Sequence, residues 1–390
     1  MTSLVSTLVS YIRYPTNETV TPDLLGEERE NGKDEDNDDE FATYFSPQNE
    51  KFLVHRHSPP TLGAGSFADV VVGKRLAAFP GGKSTSTTEH AIAVKRISKT
   101  RGGIPVPTAY PLEEARLLLL ARSHPNIVNL LGVNLVDDPD RFLLFFELVP
   151  KAVDLYEFVS SHVLESGYSL AEKTAVDIGI QMTSALAHCH SLDISHRDVK
   201  LENALRCQET GHILLIDFGL STSISSDPCI DRTLCGSKGY AAPELCFDSI
   251  FSAKRRRFLV SDSDTTPASP SRQKKIEIFK ATDVWSFGVT FFSILFGFAL
   301  FPNAAIRGDV VFEILKRVDR KNENGVACVS FLEELFKTHY KKPCVPASSP
   351  TVHIVNSCVR IEASRRSSMQ EVNDKLSTIF PCLGYCSMLY

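Results

Sequence analysis

The chain has 390 residues, 43% of them hydrophobic, and a formal net charge of −5. That length and apolar fraction support a large buried core with more than one lobe, and exclude a small scaffold that needs disulfide staples. The charge is uneven: residues 1–50 carry three cations against twelve acids and leave a mildly basic body, which argues against nucleic-acid binding through bulk charge.

The ten cysteines are scattered and form no CxxC pair, so free thiols in a reducing compartment are expected. Cys382 and Cys386 are near enough in sequence to share a metal or lipid, but no second ligand pair accompanies them. Thr2–Ile12 is apolar and rich in Ser and Thr, yet lacks the preceding positive charge and cleavage site of a secretory signal. Val284–Phe301 runs eighteen residues without a charge, long enough by count to cross a membrane. Its Ser286, Thr290 and Ser293, and the Asp283 before it, fit a buried core helix as well.

In chain order, residues 1–50 read as a disordered acidic tail. Asn31–Glu40 is charged and free of apolar residues, so it cannot offset its ordering entropy. Ordered structure is expected from Lys51. Leu62-Gly63-Ala64-Gly65-Ser66-Phe67 is a glycine loop followed by a β-prone run, Val70-Val71-Val72. Glycines let backbone N–H groups approach phosphate oxygens, although tight hairpins use the same letters. Ala77–His90 reads as a loop, and Ala91–Ile97 as a strand carrying Ala93-Val94-Lys95. A lysine on a strand is otherwise an edge charge.

Pro111–Ser123 predicts a helix, with Pro111 first and Glu113 and Glu114 at its positive end. Phe142–Leu148 is an apolar strand. Ser169–Ser191 predicts a long helix with a capping box at Ser169 and Glu172. Ala175, Ile178, Met182, Leu186 and Cys189 recur there at helical spacing. His188-Cys189-His190 sits at its end; neighbours one apart on a helix point in different directions, so packing is expected rather than a shared ion.

His196-Arg197-Asp198-Val199-Lys200-Leu201-Glu202-Asn203 places an acid, cations and an amide within eight residues. Phosphoryl transfer needs such groups: one to orient a hydroxyl, a cation for phosphate, an oxygen for a metal. Asp217-Phe218-Gly219 adds a second carboxylate beside a glycine. Thr233–Glu244 and Asp283-Val284-Trp285-Ser286-Phe287-Gly288 follow. The 38 residues between Glu244 and Asp283 include Lys254–Arg257, Thr266-Pro267, Ser269-Pro270 and Lys274-Lys275. They read as an exposed polar loop over about 250–276, whose basic runs suit nuclear import or an acidic partner. Beyond Asp283 the chain is mostly helix-compatible to about Ile379.

Taken together and in order, these motifs resemble those of eukaryotic-type protein kinases of the serine/threonine class, over about residues 55–380. A calcium/calmodulin-dependent or AGC-like subgroup is suggested. The resemblance implies an α+β, two-lobed fold: a small β-rich N-lobe at about 51–147, a larger helical C-lobe at about 151–380, and a short tail at 381–390. It implies ATP and Mg2+ as cofactors. Leu62, Gly63, Ala64, Gly65, Ser66, Phe67, Val70 and Ala93 would face the nucleotide, with Ala68 standing where the family usually has a third glycine. Lys95 would hold the α- and β-phosphates, paired to Glu114, which fits the distance to His124-Pro125-Asn126 better than Glu113. Phe146 would gate the pocket, backbone groups of Glu147 and Val149 would bond adenine, and Asp154 would meet the ribose or a basic substrate residue.

By the same resemblance, Asp198 would orient the substrate hydroxyl and accept its proton, Lys200 would neutralise the γ-phosphate, and Asn203 and Asp217 would bind the metal. Arg197 would pair with a phosphate on Thr233, placed there by an upstream kinase or by autophosphorylation. Lys200 with Ser237 points to serine or threonine acceptors, Leu220 to serine. Asp154 and Glu202 match positions that meet basic residues upstream of the target. Glu244 would pair with Arg366, and Asp283 would bond the catalytic-loop backbone. The implied function is ATP-dependent phosphorylation of protein substrates in the cytoplasm, with nuclear entry as an alternative, and with no membrane span or direct nucleic-acid contact. The rival reading, a pseudokinase scaffold, requires a broken catalytic position, and none is found.

Overall fold

The computed structural model describes residues 41–46, 50–55, 61–64, 68–78, 87–223, 236–245, 270–302, 309–323, 330–341 and 349–380. Expectations for residues 1–40, Gly65–Phe67, Thr233, the insert from 246 to 269 and the tail from 381 lie outside them. The chain divides into two compact units. One comprises residues up to Leu119 together with Asn129–Val149; the other comprises Leu120–Val128 and everything from Pro150.

The first unit is built on a seven-stranded antiparallel sheet. Its path runs β1 (Phe41–Phe45), β2 (Lys51–His55), β4 (Ala68–Ala78), β5 (Thr87–Ser98), β9 (Arg141–Glu147), β8 (Leu130–Asn134), with β3 (Thr61–Ala64) paired to β4. A two-stranded ribbon, β6 (Thr100–Arg101) and β7 (Ile104–Pro105), follows β5. Alternating β-branched and aromatic residues bury one face: Phe52, Val54, Val71, Ile92, Val94, Leu143 and Phe145 share a core. Phe52 and Phe145 stack at 4.2 Å. Gly73 lets the strands close, because a Cβ there would lie 2.8 Å from Val94 Cγ2 and 2.9 Å from the Leu53 carbonyl.

Two expectations change here. The strand β1 falls inside the stretch expected to be disordered to residue 50: its aromatic sequence pairs along all of β2, and Tyr44 is buried with its hydroxyl donating to Asp138 at 2.8 Å. Helix α1 (Ala109–Ala121) begins two residues before Pro111. Proline still sits in the first turn, where its missing N–H leaves no bond unmade.

The second unit is helical: α2 (Leu155–Ser166), α3 (Glu172–Ser191), α4 (Pro270–Phe296), α5 (Val310–Glu323), α6 (Phe331–Leu335), α7 (Ser349–Cys358) and α8 (Met369–Ile379). A small sheet, β10 (Ala152–Asp154), β12 (Ala204–Cys207) and β13 (Ile213–Leu215), and the pair β11 (Ile194–Ser195) and β14 (Thr222–Ser223) carry the loops of interest. Helices α3 and α8 pack together, and α4 packs on α3 and α7. Gly288 permits the α4–α7 approach, since a Cβ there would come within 2.6 Å of Cys358 Cβ.

Helix α4 corrects the reading of the insert, which was expected to stay a loop to residue 276. It begins at Pro270, and its early turns bury Ile276 and Phe279 beside Leu245. Those apolar positions are three apart on one face, while Lys274 and Lys275 make the local composition polar. Within it, Gln273–Phe296 is long and apolar enough to cross a membrane by length and composition, but 83% of its most apolar window is buried in the protein. The capping box expected for α3 is also absent. The helix starts at Glu172 after Ala171, with no side-chain cap, and the Glu172 carboxylate instead accepts from Thr351 Oγ1 at 2.7 Å. Among the described cysteines, Cys189, Cys207 and Cys358 are free thiols. Burial pushes Cys358 up to about 12.

Candidate active site

In the first unit, β3 and β4 form the two arms of the glycine loop, with Gly63 opposite Val70 and Ala64 opposite Asp69. Leu62 and Gly63 are exposed. Val70 pairs in register with Lys95, and Ala93 lies between Val72 and Phe146 across the neighbouring strands. Lys95 Nζ lies 2.6 Å from Glu114 Oε1. Of the two candidate acids on α1, Glu114 takes the lysine, while Glu113 binds Arg116 at 2.6 and 2.7 Å. At the end of β9, the Glu147 N–H donates to the Asn129 carbonyl at 3.1 Å, so of its two backbone groups that one is committed.

In the second unit, the catalytic candidates form one network. Asp198 Oδ1 accepts from the Ser237 hydroxyl at 2.8 Å and from its N–H at 3.2 Å. Asp198 Oδ2 receives Asn203 Nδ2 at 2.8 Å and Lys200 Nζ at 3.0 Å. Lys200 also donates to Ser237 Oγ at 2.8 Å. Because Asn203 spends its NH2 on Asp198, its amide oxygen is the end available to a cation. Asn203 and Asp217 sit at the same end of the β12–β13 hairpin, where the Ile216 N–H donates to the Asn203 carbonyl at 3.0 Å. A carboxylate and an amide oxygen are hard donors of the kind a small divalent cation takes.

The loop that carries these groups is fixed by Asp283, which is fully buried in α4. Its Oδ2 accepts from the His196 N–H at 2.8 Å and from the Ser195 hydroxyl at 2.9 Å, and its Oδ1 accepts from the Arg197 N–H at 2.7 Å. Nε2 of His190 lies 2.9 Å from Oδ2. Burial alone would raise this carboxyl, but the bonds from His190 and the loop hold it below its ordinary range. Among the candidate site residues, Arg197 and Asp217 take left-handed backbone, at φ 67° and φ 60°. Non-glycine residues there are uncommon and cluster at functional sites. Phe218 is buried edge-on to His196, at 4.9 Å between centroids. Strand β14 pairs with β11, which ties the segment after Asp217-Phe218-Gly219 to the loop.

Three further expectations are placed. Glu244 and Arg366 form a bidentate pair at 2.6 and 2.8 Å. Asp154 caps α2, its Oδ1 accepting from the Glu157 N–H at 2.8 Å. Glu202 is exposed beside Lys200 in sequence. Helix-end packing, expected for His190, is joined by its partnership with Asp283, which has no signal in sequence spacing because the two lie 93 residues apart.

The protein kinase domain family matches residues 57–376. Two relatives are the SNF-related serine/threonine-protein kinase of Rattus norvegicus, 31% identical over 244 residues (63% of this chain, 26% of that protein), and the SNF1-related protein kinase catalytic subunit alpha KIN12 of Arabidopsis thaliana, 30% identical over 260 residues (66% and 42%). Myosin light chain kinase A of Dictyostelium discoideum is 28% identical over 263 residues, 67% of this chain and 71% of that protein. The chain thus spans about a quarter of the first of these relatives and less than half of the second. With the motifs, the sheet-and-helix units and the matched span in agreement, the chain belongs to the protein kinase family. That family uses ATP and a divalent metal.

Proposed function

We propose that the chain transfers the γ-phosphate of ATP to serine or threonine hydroxyls of protein substrates. The observation that carries this is the Asp198–Lys200–Ser237 network, in which a carboxylate and an ammonium grip one hydroxyl at 2.8 Å each. A substrate hydroxyl needs the same two neighbours: an acceptor that orients it and takes its proton, and a cation that neutralises the transferred group. Asp198 fills the first role and Lys200 the second. Ser237, held on both, supports an alcohol acceptor of serine or threonine type.

Lys95, fixed by Glu114, binds the α- and β-phosphates, and the arms of the glycine loop at Leu62, Gly63, Ala64 and Val70, with Ala93 of β5, line the nucleotide. The Glu147 carbonyl and the Val149 backbone bond adenine. Asn203 and Asp217 hold Mg2+, which when bound supplies charge neutralisation at the phosphates. Exposed Glu202 supports a preference for basic residues upstream of the target. Asp154, engaged in capping α2, supports it less. Regulation by phosphate on Thr233 belongs to the same reading. The basic run Lys254–Arg257 supports a nuclear fraction beside the cytoplasmic one, and deletion of 252–269, which spares α4, with unchanged distribution would remove that idea.

The reading is tested with Asp217→Ala and Lys95→Met, assayed for transfer of labelled phosphate to a generic basic protein. Loss of transfer in both, with melting curves close to the parent, is the expected result. Full turnover in either variant would overturn the assignment.

A further inference from the structure

The first three turns of α4 do more than extend a core helix. Phe279, 1% exposed, packs with Ile276 and Leu245, the residue after Glu244. The Arg197 guanidinium carbon lies 4.4 Å from the centroid of the Phe279 ring. One residue on, Lys280 Nζ bonds Asp193 Oδ1 at 2.7 Å, just before β11 leads into the loop. The same stretch of helix therefore touches the loop before His196, the arginine beside Asp198 and the segment that follows Glu244.

Arg197 is 4% exposed and left-handed, so it has little room to adjust. Its N–H is held by Asp283, one turn along α4 from Phe279, and its side chain by the ring. Its carbonyl faces Gly236, where a Cβ would sit 3.5 Å from it; Gly236 precedes the Ser237 that bonds Asp198. An aromatic face attracts a guanidinium through its quadrupole, and more strongly when both are out of water.

We infer that Phe279 is a positioning residue for phosphoryl transfer: its ring fixes Arg197, and through the adjoining peptide the carboxylate of Asp198. The inference rests on the proposed kinase reading. Part of the order expected from a phosphate on Thr233 is then supplied by the chain's own helix.

The test compares four full-length variants in steady-state kinetics on a basic peptide, with melting temperature as a control. Phe279→Leu keeps an apolar side chain, with a small loss of volume that the melting temperature reads, and removes the ring; kcat is expected to fall about tenfold with the KM for ATP little changed, the scale of a desolvated cation–π contact. Phe279→Tyr keeps the ring and adds a hydroxyl, and is expected to retain most of kcat. Arg197→Met alone and with Phe279→Leu closes a cycle, in which the ring's effect is expected to vanish once the guanidinium is gone. Phe279→Leu faster than Phe279→Tyr, or an equal loss in the Arg197→Met background, would overturn the inference and leave plain packing. An inactive parent protein would instead fail the kinase reading itself.

Discussion

Each lobe holds a buried or half-buried carboxylate–cation pair, and the two pairs are built for different work. In the C-lobe, all five N–H groups of Arg366 are used: two on Glu244, one each on the carbonyls of Arg360, Ala281 and Ile361. Its side chain has no exposure, and its guanidinium also lies 5.2 Å from the Trp285 ring. In the N-lobe, Lys95 meets Glu114 at 2.6 Å with 13% of its side chain exposed. A planar fork saturated by fixed acceptors locks a geometry, whereas an ammonium is a point charge whose donors rotate to meet a ligand. The first pair closes a fold, and the second steadies a charge that has a task.

The largest expected effect tests the working pair. Lys95→Met should lower turnover by roughly three orders of magnitude, the scale of losing charge stabilisation at transferred phosphate, and shift the melting temperature by little. A large fall in stability with turnover kept per folded molecule would reverse the contrast. Next comes the clamp. Arg366→Met leaves the Glu244 carboxylate buried without its partner and should cost about 3–5 kcal/mol, read as a lower urea midpoint. An unchanged midpoint would mean that the pair is not structural.

A smaller effect uses pH. Burial, then the nearby His188 and His212, push His124 down to about 4, while its Nδ1 accepts from the Asn126 N–H and its Nε2 meets Ser184. The unfolded chain takes up this proton near pH 6.5 and the folded chain only near 4, so stability falls as pH drops through that window. His124→Gln should flatten the urea midpoint between pH 6.5 and 4. An unaltered slope would place the acid sensitivity elsewhere. The smallest effect is at Asp154: loss of its cap in Asp154→Ala should cost about 1 kcal/mol by denaturant titration, with the KM for a basic peptide nearly unchanged. A large rise in that KM would return Asp154 to substrate binding.

The parts of the site that sequence made legible were those with fixed spacing and strong chemistry. Asp198 to Asn203 span one loop, and Asp217 follows one hairpin later, so their meeting needs little beyond local geometry. The Lys95–Glu114 and Glu244–Arg366 pairs were reached through the resemblance, since 122 residues separate the second pair. What escaped was set by distant partners. Glu172 matches a capping box, yet its carboxylate serves Thr351, 179 residues on. The early turns of α4 look polar because, among the described residues, Ile276 and Phe279 are buried there and Ile278 packs partly against them, amid Lys274, Lys275 and Glu277, and nothing local shows that Arg197 covers the ring. The strand Phe41–Phe45 was hidden by the acids before it, although its own aromatic pattern suits a sheet.

The packing of α8 on α3 also has a consequence in time. Asn373 reaches the Ile180 carbonyl across 193 residues, and a Cβ on Gly179 would come within 3.3 Å of Leu376. A ribosome moving at about 5–20 residues per second releases Asp283 some 5 to 20 seconds before Leu376. Through that interval the groups for phosphoryl transfer exist on a chain whose central helix has an uncovered apolar face. The C-lobe therefore depends on contacts of long sequence separation, which cost loop entropy before they return it. A nascent chain stalled near residue 360 would carry every proposed catalytic residue and neither the Arg366 clamp nor the α8 face that covers α3.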